Sequence, residues 1–328
     1  MKLQILVPQH KETEEEVKPL LDSIMVQQNV ELESDVGVII CNDCSDVKLS
    51  KEFLDSYPFD IKYIENKEHL GVSATRNACL DKAKAEYVMF CDADDMFMNV
   101  CGLYILFREM AIGEFDALVS NFVEETRHPE SHEVLYVNHE IDSTFVHGKV
   151  YRRAFLKNQK IRFKDELTIH EDSYFNCLAQ KMAREVKYCP TPFYLWRWRD
   201  ASVCRHDPKY ILKTYNNMLD SSTALAHEFI RRKKKEHAQF YCVAMTYDAY
   251  FTMNKQEWID QENKEYRDAT ELRFKKYFEE FEDLFNSIDE KEKNQIIVSI
   301  KNRMFGEGLM MESITFNDWI KNIKALKE

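Results

Sequence analysis

The feature that most limits the fold is an alternation of two periods over the first hundred residues. Leu3-Gln4-Ile5-Leu6-Val7 is a short apolar run closed by Pro8, and Val17, Leu20, Leu21, Ile24 and Met25 then recur at helical spacing. Val36-Gly37-Val38-Ile39-Ile40 is a second run, stopped by Asn42-Asp43, and Ile61-Lys62-Tyr63-Ile64 is a third. The spacing predicts a helix over 73–85 and a fourth strand from Tyr87 to Cys91. Strands apolar on both faces need cover on both faces, and strands joined through helices run parallel. The expected core is therefore an α/β unit with a mostly parallel sheet and helices on both sides. Ligands of such sheets bind beyond the carboxyl ends of the strands. That gathers three loops: Pro8 to Lys11, Asn42 to Ser45, and Asp92 to Asp95.

Beyond residue 100 the pattern mixes. Leu103 to Met110 reads as helix, Ala117 to Phe122 and Val134 to Val137 as strands, and Ser173 to Met182 as a helix with Phe175, Leu178 and Met182 inward. Val186 to Tyr188 reads as a strand ahead of Pro190-Thr191-Pro192. Helical spacing takes over from about Pro208, and a boundary is expected near residue 206, giving domains 1–206 and 207–328. In the second, Tyr215, Leu219, Leu225 and Phe229 mark a buried helical face. Phe274, Tyr277, Phe278, Phe281 and Phe285 form an aromatic stripe, expected as core or dimer interface. Glu279, Glu280, Glu282 and Asp283 interleave it, and anionic lipid would repel them.

Charge and cysteine usage exclude several classes. The net charge of −12 argues against broad adhesion to nucleic acid or to an anionic membrane. The run Arg231-Arg232-Lys233-Lys234-Lys235 reads as a solvated helix end rather than a binding patch. Nine cysteines, an odd count, point to reduced thiols and a cytoplasmic location, with peripheral attachment at the inner membrane face as the alternative. Cys41 and Cys44 have C-x-x-C spacing, but turn residues follow them and no second pair does, so neither a redox motif nor a zinc ribbon is expected. No apolar run approaches bilayer length. The chain has neither a G-x-G-x-x-G nor a G-x-x-x-x-G-K-[ST] sequence, which disfavours a dinucleotide site and excludes a P-loop.

Phe90-Cys91-Asp92-Ala93-Asp94-Asp95 ends the fourth strand with three carboxylates in four positions. Such charges repel unless a cation joins them. One carboxylate of a D-x-D ligates Mg²⁺ or Mn²⁺, another accepts from ribose hydroxyls, and water and phosphates fill the rest of the metal shell. A nucleoside diphosphate is the matching ligand. A solvated acidic turn has the same letters, so position at a strand end carries the weight. In Glu68 to Asn77, Gly71 permits a tight entry, Ser73 is the expected N-cap, and Arg76 is expected in the first helical turn within reach of a phosphate.

Taken in order, these segments resemble the family 2 glycosyltransferases with the GT-A fold. The family's P-x-Y-N corresponds to Pro8-Gln9-His10-Lys11, and its D-x-S-x-D to Asp43-Cys44-Ser45-Asp46. Its N-x-G-x-S-x-A-R-N corresponds to His69 through Asn77, and its D-A-D-D to residues 92–95. Gly148-Lys149-Val150-Tyr151-Arg152-Arg153, Glu171-Asp172 and Trp196-Arg197-Trp198-Arg199-Asp200-Ala201-Ser202 match later family segments. The resemblance covers residues 3 to about 205.

The resemblance implies an inverting, metal-dependent sugar transfer from a nucleotide sugar, UDP-linked by preference, to a hydroxyl of a glycan or surface polymer. Pro8, His10, Asp43, Arg76, Asp92 and Ala93 would bind the nucleotide; Asp94, Asp92 and His206 would hold Mn²⁺ or Mg²⁺. Asp172, with Glu171, would supply the general base, its pKa raised beside Tyr174 and Phe175, and Arg197 or Arg199 would stabilise the leaving diphosphate. Residues 207–328 would shape the acceptor site or mediate self-association. His10 and Lys11 replace the family's tyrosine and asparagine, which leaves the nucleobase open. A hydroxylated DNA base as acceptor, a silent sugar-nucleotide or glycan-binding module, and a nucleotidyltransferase are the competing readings. The last needs a glycine-rich loop that Gln9 to Glu16 lacks.

Overall fold

The computed structural model describes residues 1–128, 130–140, 142, 144–199, 209–306 and 314–327. The chain divides into two compact units, Met1–Ser202 and Val203–Glu328.

The first unit is built on a nine-stranded sheet ordered β3-β2-β1-β4-β8-β6-β9-β5, with β7 paired to β6. Strands β1 (Leu3–Gln9), β2 (Val36–Asn42), β3 (Asp60–Glu65) and β4 (Tyr87–Phe90) form its parallel part. Helices α1 (Glu14–Met25), α2 (Leu32–Asp35), α3 (Lys51–Asp55) and α4 (Val72–Lys82) separate them. This is the alternation read from the sequence. Leu3, Ile5, Val7, Val36, Val38, Ile40 and Met89 are fully buried, together with Leu20, Leu21 and Ile24 of α1. Helix α1 starts at a capping box in which Thr13 and Glu16 satisfy each other's backbone N–H groups.

Pro8 does not end β1 as expected; the strand runs on to Gln9. Leu6 is the last residue paired to β4, so at Pro8 only β2 remains as a neighbour and the missing N–H is tolerated.

Past β4 the sheet becomes mixed. Strand β8 (Lys149–Arg152) runs antiparallel between β4 and β6 (Ala117–Arg127), and β7 (Val134–His139) is antiparallel to β6. Strand β9 (Val186–Trp196) runs parallel to β6 and far beyond Tyr188, where the sequence reading stopped it. The register breaks between Ser120 and Phe122, which carries Pro190 and Pro192 past β6 without a lost ladder bond. The two-residue β5 (Met96–Phe97), not anticipated, pairs antiparallel with the end of β9. Helices α5 (Gly102–Ile112), α6 (Arg153–Gln159) and α7 (Glu171–Met182) complete the unit. The architecture is thus a mixed α/β sheet with helices, followed by a helical region.

In that second unit, α8 (Tyr210–Arg231), α9 (Lys235–Met253), α10 (Lys264–Asn286), α11 (Glu290–Gly306) and α12 (Phe316–Ala325) surround their own core. The aromatic stripe Phe274, Tyr277, Phe278, Phe281 and Phe285 is buried there at 5% exposure or less, so it is core and not a free interface. Arg231 and Arg232 both pair with Glu228 at the end of α8, which turns part of the basic run back on its own helix. Among the described residues no helix is long and apolar enough to cross a membrane. Among the described residues no cysteine is in a disulfide, and Cys41 is buried and Cys44 exposed.

Candidate active site

The carboxyl ends of β1, β2 and β4 open into a cavity of about 330 Å³. Pro8, His10, Asp43, Arg76, Asp92, Ala93 and Asp94, all singled out from the sequence, line it together. Gln9, Glu12, His69, Val72 and Thr75 also line it and were not assigned roles. Glu171, Asp172 and Arg197 are not among the described lining residues. His206 lies outside the described residues.

Asp43 begins the loop after β2 and is 3% exposed. Its Oδ1 accepts from Asn66 Nδ2 at 2.8 Å and from the Leu70 N–H at 2.9 Å. Its Oδ2 accepts from the Gly71 N–H at 2.7 Å and sits 2.9 Å from His69 Nδ1. Burial pushes the carboxyl up, but the bonds from Asn66, Leu70 and Gly71 outweigh it and hold the group below the usual carboxylate range. Gly71 makes this loop possible: its φ of +85° is a conformation that side chains disfavour. Gly71 is also the N-cap of α4, in place of the expected Ser73. Ser73 is buried within the helix and donates to the Leu167 carbonyl at 2.9 Å. Across the cavity the His10 ring lies 4.5 Å from that of His69, and His10 Nδ1 is 3.3 Å from the Asp43 carbonyl.

Arg76 joins the two halves of the constellation. It lies beyond the first turn of α4, is 4% exposed, and bonds Asp92 Oδ1 at 2.9 Å and Glu171 Oε1 at 2.7 Å. Its guanidinium stands 5.3 Å above the Phe163 ring. Burial disfavours the charge on Arg76, but Asp92 and Glu171 overcome it and raise its pKa. Burial likewise pushes Asp92 up, and the Arg76 charge brings it below its ordinary value.

Glu171 and Asp172 open α7, as the sequence indicated, after His170 in the left-handed region at φ +62°. Asp172 is half-buried and its pKa rises to about 7, chiefly through burial and then through the adjacent Glu171 charge; Arg76 and the Ser173 N–H, 2.8 Å away, pull the other way. The apolar surroundings anticipated from Tyr174 and Phe175 are only part of the cause.

The pairing of β5 with β9 brings Arg197 and Arg199 to the acidic turn. The Arg197 N–H donates to Asp95 Oδ1 at 2.9 Å and its guanidinium to the Asp94 carbonyl at 3.1 Å. Arg199 bonds the Asp94 carboxylate at 2.9 Å and also reaches Glu16 at 2.9 Å and Glu12 at 3.4 Å. Asp95, 1% exposed, accepts from the Tyr194 hydroxyl, and burial with the Asp94 and Asp92 charges pushes its pKa well up.

His147 was missed in the sequence. It is 3% exposed, stacked near Tyr194 and Trp196, and its Nδ1 has no hydrogen-bond partner, lying 3.9 Å from Asp95. Burial lowers its pKa to about 3, so the ring is neutral. The only sequence signal was its place just before Gly148-Lys149.

Asp92, Asp95 and His147 present ligand atoms within 4.8 Å of one another. Carboxylate oxygens, with a neutral imidazole whose buried Nδ1 is unpartnered, fit a hard divalent cation. Asp94, expected as the metal ligand, is not in that group; it is held by Arg199.

Comparison with known proteins places this geometry. The sequence profile of "Glycosyl transferase family 2" matches residues 4–185. The "Putative glycosyltransferase EpsH" of Bacillus subtilis is 24% identical over 237 residues, 66% of this chain and 67% of EpsH. "Poly(ribitol-phosphate) beta-N-acetylglucosaminyltransferase TarS" of Staphylococcus aureus is 25% identical over 210 residues, 60% of this chain but only 35% of TarS. The chain thus matches about a third of that relative's length. The crystal structure of S. aureus TarS 1-349 in complex with UDP-GlcNAc matches with a TM-score of 0.62 at 18% identity, over 84% of this chain and 81% of that one. The structure of the mannosyltransferase PcManGT from Pyrobaculum calidifontis, in complex with GDP-Man and Mn²⁺, matches at 0.50 and 13%, over 81% and 83%. These structural likenesses establish the fold.

Proposed function

The chain belongs to the family 2 glycosyl transferases, and from that premise we propose that it moves a sugar from a UDP-linked donor to a hydroxyl of a surface polymer or glycan, with inversion at the anomeric carbon. The carrying observation is the Arg76 bridge. One guanidinium ties Asp92, in the nucleotide crevice, to Glu171, beside the carboxylate whose pKa is matched to neutral-pH proton transfer.

In this reading Pro8, His10 and Ala93 hold the nucleoside in the crevice whose wall Asp43 braces, and Asp92 accepts from the ribose. Asp172 takes the proton of the acceptor hydroxyl as that oxygen forms its bond to the anomeric carbon. The bond from that carbon to the diphosphate oxygen breaks, and its electron pair leaves with UDP. Attack opposite the leaving group inverts the centre. Arg197 and Arg199, already beside Asp94, turn to the diphosphate as negative charge develops there. Asp92, Asp95 and His147, joined by Asp94 once Arg199 has turned from it, would hold Mn²⁺ or Mg²⁺, whose contribution when bound is to balance that same charge. Glu171 positions Arg76 and raises the base.

A UDP-sugar is favoured because TarS is seen with UDP-GlcNAc, and a polymer acceptor because the TarS name specifies poly(ribitol-phosphate). The Mn²⁺ in the PcManGT complex supports a metal requirement. Residues 207–328 then shape the acceptor site or mediate self-association. A DNA acceptor draws no support from Arg231 and Arg232, which are paired within α8.

Calorimetric titration of the chain with UDP and a panel of UDP-sugars, with and without Mn²⁺, tests the reading. Metal-dependent binding of one sugar nucleotide is expected. No binding across the panel overturns it and returns the silent binding module to the front.

A further inference from the structure

Asp43 has no accepting capacity left for a base. A carboxylate offers about four lone-pair sites, and Asn66, Leu70, Gly71 and His69 all direct donors at its two oxygens. Three of those donors are built into the loop: two backbone N–H groups and a side chain that is itself 3.2 Å from Thr75 Oγ1. The fourth, His69, has a side chain 63% exposed and lines the same cavity.

We infer that the nucleobase is read by His69 rather than by Asp43, with Asp43 as the positioning residue that sets the imidazole's tautomer and plane. This inference rests on the nucleoside-diphosphate reading of the crevice and deepens it.

The chemistry follows from the bond at Nδ1. A neutral imidazole that donates Nδ1–H to a carboxylate carries its lone pair on Nε2, so the nitrogen left for a ligand is an acceptor. Uracil presents an N–H at ring position 3; cytosine presents a lone pair at the same position. An Nε2 acceptor pairs with the first and repels the second. His10 supplies the other wall, its ring already 4.5 Å from His69 and tilted by 35°. The chain therefore replaces an aromatic stack with a pair of imidazoles, one for the face of the base and one for its edge. The family pattern carries asparagine where His69 stands, and an amide carbonyl is also an acceptor.

Calorimetry of the full chain with UDP and with CDP, in Mn²⁺, tests this. Wild type is expected to prefer UDP by about ten-fold or more, the scale of one well-made hydrogen bond gained and one repulsion avoided. His69→Phe keeps a ring beside His10 without an acceptor. It should lose the UDP preference while keeping its affinity for CDP, which also reports that the variant is folded. His69→Asn should restore the preference. An independent reading uses ¹⁵N NMR of the wild-type histidines: the His69 Nε2 resonance should shift as a hydrogen-bond acceptor with UDP and not with CDP. An undiminished UDP preference in His69→Phe, or an Nε2 resonance indifferent to UDP, overturns the inference and leaves the UDP-donor reading intact. Failure of wild type to bind either nucleotide overturns both.

Discussion

Replacing Asp172 by Asn should make the protein more stable at neutral pH while removing its activity, and the two effects have one cause. The folded carboxyl titrates at about 7 against an ordinary 3.8. Between those values the folded state holds a proton that the unfolded state has released. A raised carboxyl therefore costs stability as pH rises: the cost begins near the unfolded pKa, grows at about 1.4 kcal/mol per pH unit, and is complete once pH passes the folded pKa. From pH 5 to pH 8 the wild type should lose about 3 kcal/mol from this group alone. Asparagine keeps the shape and an acceptor for the Ser173 N–H but carries no charge, so Asp172→Asn escapes the loss. Urea denaturation of both proteins at pH 5 and pH 8 measures it: the variant's advantage should grow by roughly 3 kcal/mol between the two, from about 2 kcal/mol at pH 5 to about 4 kcal/mol at pH 8. The same titration governs catalysis, because only the ionised form accepts a proton. Transfer by the wild type should rise about ten-fold per pH unit up to about pH 7 and then level, and the variant should show no transfer across the range. Parallel stability profiles for the two proteins would refute the placement of Asp172 in a charge-hostile site. Retained turnover in Asp172→Asn would refute its role as base.

Asp94→Asn should weaken Mn²⁺-dependent UDP binding and release Arg199 from its strongest partner in the crevice; equal affinities in calorimetry would remove Asp94 from the metal site. Arg76→Met leaves Asp92 and the buried Glu171 without their shared cation, so a loss of about 3–5 kcal/mol is expected in urea melts, and a loss below 1 kcal/mol would show that the bridge is not a structural keystone. Gly148→Ala drives a Cβ into Ser120 Oγ at a φ of +66°, and a destabilisation of roughly 1–3 kcal/mol should appear in thermal unfolding; a neutral result would mean that the β8 entry relaxes freely.

The candidate site was legible in the sequence to the extent that its residues follow strands. Pro8, Asp43 and Asp92 come after apolar runs whose period is readable, and a parallel arrangement puts all three loops at one edge. Glu171 and Asp172 opened a helix in the sequence pattern and do so in the structure. Other features were invisible for definite reasons. The Ser73 cap fails because its hydroxyl finds the Leu167 carbonyl, 94 positions away. Strand β9 passes through two prolines because its residues 190–193 bulge out opposite the single Asn121 of β6 and pairing resumes at Tyr194, a register that only the partner strand fixes. His147 has no local signature at all; its surroundings come from β9 and the acidic turn.

Local chemistry by itself determined the alternation of elements, the edge at which a ligand binds and the acidic character of that edge, because hydrophobic period and strand-end position are properties of short segments. Tertiary structure decided which of those acids are ionised and what each one holds. The neighbours that set the charge state of Asp92, Asp95 and Asp172 arrive from α4, α7 and the end of β9, and the arginine that holds Asp94 comes from 105 positions away. A carboxylate's charge and reach depend on what desolvates and bonds it in space, and no window along the chain contains that information.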